Sequence, residues 1–402
     1  MEADFRVKFA GMTFKNPLLA ASANHVRGIE NTARIIRSGV GGIVCKSVTE
    51  LEGLRGSNRA RFAILDEYNR PCRGKIPRMY TFYSRTGSME EPEAWLRDLP
   101  AKLDLAKTHD VVLIGSIAAG KPENWVKIAR MMEKSGVPMI ELNIGCPHYG
   151  RVDERMGALL GQDPAACRKL VGDIRSAVNV PLIVKLTPQA TDLMEIVKAV
   201  QEAGADGLTI TNRYMGFAVD IENACPHTGS WAAVGGPWVK PLSLRWIAEC
   251  YRNFSLPIFG SNGAADWTDV IEFMMAGASL VQLAGAFMLR GPDLIPEILT
   301  GMDAFLKRKG YRSTTEIVGT AARAAIPYNE LQRTPIQRMR MVEDVCIQCG
   351  NCMTACYYGA IKKVGGSITI GDECMGCELC RAFCSFPGAL VTEPVQNESI
   401  LI

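Results

Sequence analysis

Eight of the fourteen cysteines fall between positions 346 and 384. They are spaced as Cys346-x2-Cys349-x2-Cys352-x3-Cys356 and, again, as Cys374-x2-Cys377-x2-Cys380-x3-Cys384. Thiolates select zinc or iron–sulfur assemblies. Three of them on one tight loop can reach three corners of a cubane, whose fourth corner must be held from elsewhere. A zinc ion needs four thiolates, usually in pairs, and leaves the x2-x2-x3 rhythm unexplained. Away from this array, polar or small residues recur at the ends of short apolar runs: Ser22 and Asn24, Lys46, Ser116, Asn143 and Cys146, Lys185, Asn212 and Arg213, Ser261 and Gly263, Ala284 and Gly285. An ammonium at such a place is costly unless it meets an anion or an electron-rich ring, which singles out Lys46 and Lys185. Arg213 can fork onto a carboxylate or a pair of carbonyl oxygens; its alternative is a neighbouring acid. The glycines of 260–263 and 284–286 leave backbone N–H groups open to a phosphate, although glycine after a strand is also ordinary turn chemistry.

The apolar runs that carry these residues lie at 17–23, 41–47, 111–117, 139–145, 181–187, 207–213, 257–263 and 279–285. Between them come stretches such as 123–130 and 193–200 whose apolar residues recur at helical spacing. Eight strands alternating with helices predict an α/β fold, a (β/α)8 TIM barrel, with the active site at the C-terminal ends of the strands. A doubly wound sheet would need a G-x-G-x-x-G turn, and none follows a strand. The domain reading is a barrel over 1–310, a linker over 311–336 and a cysteine-rich domain over 337–402. The 402 residues carry a net charge of +3, which gives no electrostatic reason to expect a nucleic acid. No run of 18 apolar residues occurs, and the opening residues lack the layout of a signal peptide, so a cytoplasmic protein with reduced or metal-bound thiols and no membrane partner is expected. The remaining cysteines Cys45, Cys72, Cys167, Cys225 and Cys250 read as small buried hydrophobes.

The cysteine array resembles a bacterial two-cluster ferredoxin, in which the fourth cysteine of each run serves the other cluster. That resemblance implies one [4Fe–4S] cluster on Cys346, Cys349, Cys352 and Cys384, and another on Cys374, Cys377, Cys380 and Cys356. The proline that follows the fourth cysteine in such runs is replaced by Tyr357 and by Ser385. The segment Glu141-Leu142-Asn143-Ile144-Gly145-Cys146-Pro147-His148 resembles the active-site loop of dihydropyrimidine dehydrogenase and its dihydroorotate dehydrogenase relatives. Ile183-Val184-Lys185-Leu186-Thr187-Pro188, Thr211-Asn212, and Gly235-Gly236 leading to Lys240-Pro241-Leu242-Ser243 match that family in order. The fused ferredoxin narrows the likeness to its bacterial FMN and iron–sulfur subunit. The family implies FMN held by Ser22, Lys46, Asn143, Lys185, Asn212, Gly236, Ser261, Gly263, Ala284 and Gly285. It further implies substrate contacts from Asn143, Asn212 and Arg213, and Cys146 as proton donor. Such a thiol must keep its proton, which requires that no cation adjoin it. The loop 147–162, with His148 and Glu154 as polar groups, reads as a lid.

The sequence departs from pyrimidine-reducing relatives at four places. Gly145 replaces a serine before the cysteine, Arg213 a threonine, and Gln189 an asparagine, while the stretch 79–84 holds no counterpart of a further asparagine. Hydrogen-bond matching is how such a site discriminates, so two substrate classes stay open: a pyrimidine-like ring, and a related cyclic or carboxylated enone, lactam or heteroaromatic. No nicotinamide motif is visible. The expected electron partner is therefore an NAD(P)H-oxidising flavoprotein subunit or a soluble ferredoxin, in an oligomeric assembly acting on a small molecule. A tRNA-dihydrouridine synthase would carry a basic surface and no clusters. A purely electron-carrying subunit would make Cys146 dispensable.

Overall fold

The computed structural model describes residues 3–55, 61–86, 88–147, 157–331 and 337–395. It divides into two compact units, Met1–Ala324 and Ala325–Ile402. Eight parallel strands close the first unit into a barrel: β1 (Leu18–Ala20), β2 (Gly42–Val44), β3 (Val112–Ile117), β4 (Ile140–Asn143), β5 (Leu182–Lys185), β6 (Gly207–Ile210), β7 (Ile258–Ser261) and β8 (Ala278–Leu283). Each overlaps one of the eight runs read as strands. Strands buried on both faces need continuous apolar sequence, which is why the runs stand out. Strand β8 returns to β1 through the pairing of Val281 with Leu18.

Helices α1 (Gly28–Ile36), α2 (Pro92–Thr108), α3 (Pro122–Lys134), α4 (Pro164–Arg175), α5 (Leu193–Glu202), α6 (Lys240–Asn253), α7 (Trp267–Ala276), α8 (Gly285–Arg290) and α9 (Leu294–Lys309) surround the barrel. In α3, Pro122 opens the helix and Trp125, Ile128, Ala129 and Met132 are buried, an i, i+3, i+4, i+7 stripe facing the strands. Helix α7 starts at a reciprocal cap between Asp266 and Asp269.

Alternate strand residues point into the barrel. Val44, Ile114, Met139, Ile183, Phe259 and Leu280 fill its lower interior with Val7, Phe9 and Phe14, which come from the hairpin Val7–Phe9/Met12–Phe14. Two residues further along those strands the inward positions become polar, as Lys46, Ser116, Glu141, Lys185 and Gln282. The barrel thus has an apolar plug below and a polar layer above. Two excursions, after β2 and after β6, add an antiparallel four-stranded sheet in the order Tyr214–Gly216, Ala232–Gly235, Thr81–Arg85, Arg61–Leu65.

Residues 311–324, expected to be linker, belong to the first unit. Ile317 and Ala322 are buried, and the Gly319 N–H donates to the Met274 carbonyl at 2.9 Å. Gly319 has φ +73°, and a Cβ there would fall 2.1 Å from Cζ of Tyr251. Gly319→Ala is therefore expected to cost about 2 kcal/mol through overpacking on a rigid ring, read as a lowered denaturation midpoint.

In the second unit, Gln337–Met341 pairs antiparallel with Leu390–Pro394, and Ile361–Val364 with Ser367–Ile370. Two one-turn helices, Asn351–Thr354 and Leu379–Ala382, each carry the third cysteine of a run. The core is small and includes Met339, Ile361, Ile368, Leu390, Cys374 and Cys380. A unit of this size usually needs a metal or disulfide staple.

Candidate active site

A pocket of about 1190 Å³, its open mouth included, lies where the barrel strands end. Every barrel residue named above as a cofactor, substrate or proton-donor candidate lines it: Ser22, Lys46, Asn143, Cys146, Lys185, Asn212, Arg213, Gly236, Ser261, Gly263, Ala284 and Gly285. Phe62, Phe82, Ser84 and Gly235 of the four-stranded sheet line it too, so that sheet forms part of its wall.

Hydroxyls and amides form a belt across the strand ends. Ser22 Oγ lies 3.2 Å from Ser47 Oγ, which lies 2.9 Å from Ser116 Oγ. Asn143 Nδ2 donates to Ser47 Oγ at 3.3 Å, and Asn212 Nδ2 donates to Asn143 Oδ1 at 2.8 Å. Asn212 Oδ1 is taken by the Arg213 N–H at 2.8 Å. The two asparagines therefore reach the pocket already oriented, which reduces the ordering cost of binding. Thr211 Oγ1 is buried in the pocket wall and has no hydrogen-bond partner among the described residues.

The cations are less satisfied than the amides. Arg213 donates to Ser84 Oγ, and among the described residues no acid stands within ion-pair distance of it. Burial lowers its pKa, opposed by Cys146. Burial pulls the Lys46 ammonium down to about 8; Cys146 and Glu90 favour its charge, while Arg213 and Lys185 oppose it. The unfolded chain keeps this proton up to about 10.5. Between those values it binds a proton that the folded chain has released, so the stability due to Lys46 rises with pH through that window. Denaturant titrations of the ligand-free wild type and Lys46→Met at about pH 8 and about pH 10 should show the wild type gaining on the variant. A difference that does not change with pH would count against the buried placement.

Cys146 is 5% exposed and packs with Met89 and Ala118. Its carbonyl accepts the Ala158 N–H at 2.8 Å. Lys46 and Arg213 both interact with Cys146 at Coulombic range. The greater part of the expected lid, with His148 and Glu154, lies outside the described residues.

At the other side of the pocket, Gly236 has φ +121° and a Cβ there would meet the Tyr80 carbonyl oxygen at 2.4 Å, so only glycine fits. At Gly285 a Cβ would find nothing nearer than 3.8 Å, which leaves its backbone open to a ligand. Tyr80, Ser84, Thr211 and Gln282 also line the pocket and were not among the sequence candidates. Thr211 and Gln282 share the inward alternation of their strands, a signal the sequence does carry. Ser84 and Tyr80 come from the excursion, where no such signal exists.

In the second unit, Cys346, Cys349, Cys352 and Cys384 line one cavity of about 350 Å³, its mouth included, with Ile347, Ile368 and Phe386. Burial raises the Cys352 thiol, and Cys346, Cys349 and Cys384 raise it further as like charges. Cys380 is pushed up to about 11 by burial, then by Cys352, Cys377 and Cys374. Cys356 packs against the same core as Cys374 and Cys380. Among the described residues no three His, Cys, Asp or Glu side chains converge tightly enough for a single metal ion. The chemistry of four thiolates around a space wider than one ion fits a cubane.

Of the scattered cysteines, Cys45, Cys167 and Cys250 are buried, and burial raises all three thiols. Cys72 is half-buried. Cys225 is exposed, against the reading of it as a core residue, because it lies in the two-residue pairing Val219–Asp220/Cys225–Pro226, outside the barrel.

A barrel with a polar, cation-rich mouth, joined to a thiol array of iron–sulfur spacing, defines an oxidoreductase. The chain belongs to the dihydroorotate dehydrogenase family, whose model matches residues 5–306, and a 4Fe-4S binding domain matches residues 340–362. It is similar to the catalytic subunit of dihydroorotate dehydrogenase B (NAD(+)) of Caldicellulosiruptor bescii, 31% identical over 323 residues, 79% of this chain and 99% of the relative. The corresponding subunit of Pyrococcus abyssi is 33% identical over 322 residues, 78% of this chain and 98% of the relative. The NAD-dependent dihydropyrimidine dehydrogenase subunit PreA of Escherichia coli K12 is 28% identical over 368 residues, 89% of this chain and 86% of the relative. No helix among the described residues is long and apolar enough to cross a membrane.

Proposed function

We propose that the protein is an FMN- and iron–sulfur-dependent oxidoreductase of the dihydropyrimidine dehydrogenase type, acting on a conjugated C=C of a pyrimidine-like ring or forming it in reverse. The observation that carries this reading is the gathering of Cys146, Lys46, Lys185, Asn143 and Asn212 around one pocket. When bound, FMN supplies hydride exchange with one carbon of the double bond. Lys46 and Lys185 offer positive charge to an electron-rich ring. The Asn143–Asn212 pair fixes the substrate's amide edges, and the Cys146 Sγ holds the proton that goes to the neighbouring carbon. Gly236, Ser261, Gly263, Ala284 and Gly285 form a small-residue cradle suited to the phosphate.

The eight cysteines of the array would hold two [4Fe–4S] clusters, each passing one electron at a time. A donor then brings two electrons singly, and an NAD(P)H-oxidising flavoprotein subunit or a soluble ferredoxin suits that role. Extensive similarity to a relative that is itself named as a subunit supports the first of these.

The second reading is a related cyclic or carboxylated substrate, and Arg213 favours it. A guanidinium in a pocket wall that has a hydroxyl partner and, among the described residues, no acid is poised for an anionic group. Both readings meet the same test: anaerobic photoreduction of the holoenzyme, then reoxidation by uracils, by ring carboxylates and by neutral cyclic enones. If Arg213 takes an anionic group, Arg213→Thr should lower kcat/KM for the carboxylate by about 100-fold and leave neutral rings little changed. Reoxidation by none of these compounds would refute the substrate class while leaving the redox assignment standing.

A further inference from the structure

Glu141 is a wholly buried carboxylate at the centre of the barrel, and nothing said so far of the pocket's chemistry uses it. It stands two residues before Asn143 on β4 and shares its inward direction. Its Oε2 accepts the Thr209 hydroxyl at 2.8 Å and the Gln282 amide at 2.6 Å. Its Oε1 has no hydrogen bond among the described residues and lies 3.5 Å from Lys185 Nζ. Lys185 in turn donates to Gln282 Oε1 at 3.0 Å. Lys185 and Gln282 both line the pocket, whereas Glu141 does not. The carboxylate therefore lies one layer beneath the pocket floor, between it and the apolar plug.

Packing alone does not account for this layer. Apolar residues of equal volume usually stabilise an interior better than a buried ion pair, and the layer directly below is made of them. What the carboxylate does is set directions. It has acceptors only, so the Gln282 amide must turn its NH2 toward Glu141, which leaves its carbonyl oxygen for Lys185. Lys185 is held between that carbonyl and Oε1, two negative partners on the same side.

We infer that Glu141 is a positioning residue: through Lys185 and Gln282 it fixes the charge and the hydrogen-bond direction that the pocket floor presents to the bound ring. The inference rests on the FMN reading given above. In Glu141→Gln an amide donor would face either the ammonium or the Gln282 NH2, and Lys185 would leave its place.

The test measures FMN affinity by fluorescence quenching on the deflavinated full chain, and the midpoint potential of the bound flavin against redox dyes. It compares the wild type, Glu141→Gln, Lys185→Met and the double variant. Each single substitution is expected to weaken FMN by about tenfold, the order of one charged hydrogen bond. Lys185→Met should also move the potential to more negative values, because a cation beneath the ring favours its electron-rich reduced form, and Glu141→Gln should move it away from the wild-type value by the balance of the lost carboxylate and the displaced ammonium. The double variant should be no worse than Lys185→Met, the signature of two residues acting in series. Multiplying effects, or wild-type affinity and potential in Glu141→Gln, would overturn the inference while the wild type still binds FMN. A wild type that takes up no FMN would overturn the flavin reading and this inference with it. Should Glu141→Gln not fold, Gln282→Met interrupts the same chain with the carboxylate kept, and a wild-type potential there would overturn the proposal equally.

Discussion

Replacing Cys146 by alanine is expected to lower substrate turnover by about 10²- to 10⁴-fold, the usual contribution of a positioned acid, while leaving flavin content and absorption as in the wild type. The separation of the two effects follows from where the residue sits. Its side chain is small and packs on Met89 and Ala118, and the contact that ties the following segment to the barrel is made by its carbonyl, which alanine keeps. The change keeps that contact and takes away the thiol proton. Serine is expected to recover only a small part of the rate, since a hydroxyl is a far weaker acid than a thiol. Met89 and Ala118 give the thiol an apolar side, and Lys46 and Arg213 lie within Coulombic range of it. Turnover measured against single-turnover flavin reoxidation decides the matter: if both remain at wild-type level in Cys146→Ala, the proton comes from elsewhere and the barrel's chemistry must be reassigned.

The barrel was legible because its strands are buried on both faces and so appear as eight separate apolar runs. The polar residues at their ends were legible for the same reason, since a Lys or Asn interrupting such a run has nowhere else to point. Glu141 escaped notice although it follows the same alternation as Asn143, because a carboxylate one layer below a pocket has no local signature; only Lys185, Thr209 and Gln282 around it reveal its part. The four-stranded sheet was not legible at all. Thr81–Arg85 pairs with Ala232–Gly235 across nearly half of the first unit's sequence, and such a pairing leaves no periodic trace in either segment. Ser84, which fixes Arg213, went unseen with it. Residues 311–324 look like a linker because they hold only one 3-10 turn and one short helix, yet they are held by Gly319 against Tyr251 and Met274, a steric fit between distant residues.

The cysteine runs show the opposite case, in which local spacing announces the chemistry and the ferredoxin resemblance implies the pairing. Cys384 belongs by sequence to the second run, but it shares a cavity with Cys346, Cys349 and Cys352 of the first. Cys384→Ala is therefore expected to reduce the iron of the anaerobically prepared chain from about eight atoms to about four, by removing the cluster anchored on the first run. Its remaining paramagnetic signal on reduction should match that of Cys349→Ala and differ from that of Cys377→Ala, which takes away the other cluster. If the two clusters were ligated each within its own run, Cys384→Ala would match Cys377→Ala instead. The consequence for function is as large as that of Cys146→Ala but reads differently. If electrons from the donor travel through the array as proposed, donor-dependent turnover should nearly vanish. A small reductant that reaches the flavin directly should still drive substrate reduction at close to the wild-type rate, because the barrel is a separate compact unit with its own core. Equal loss under both reductants would mean that the second unit is needed for the barrel's own integrity, and the division of labour between cluster relay and barrel chemistry would fail.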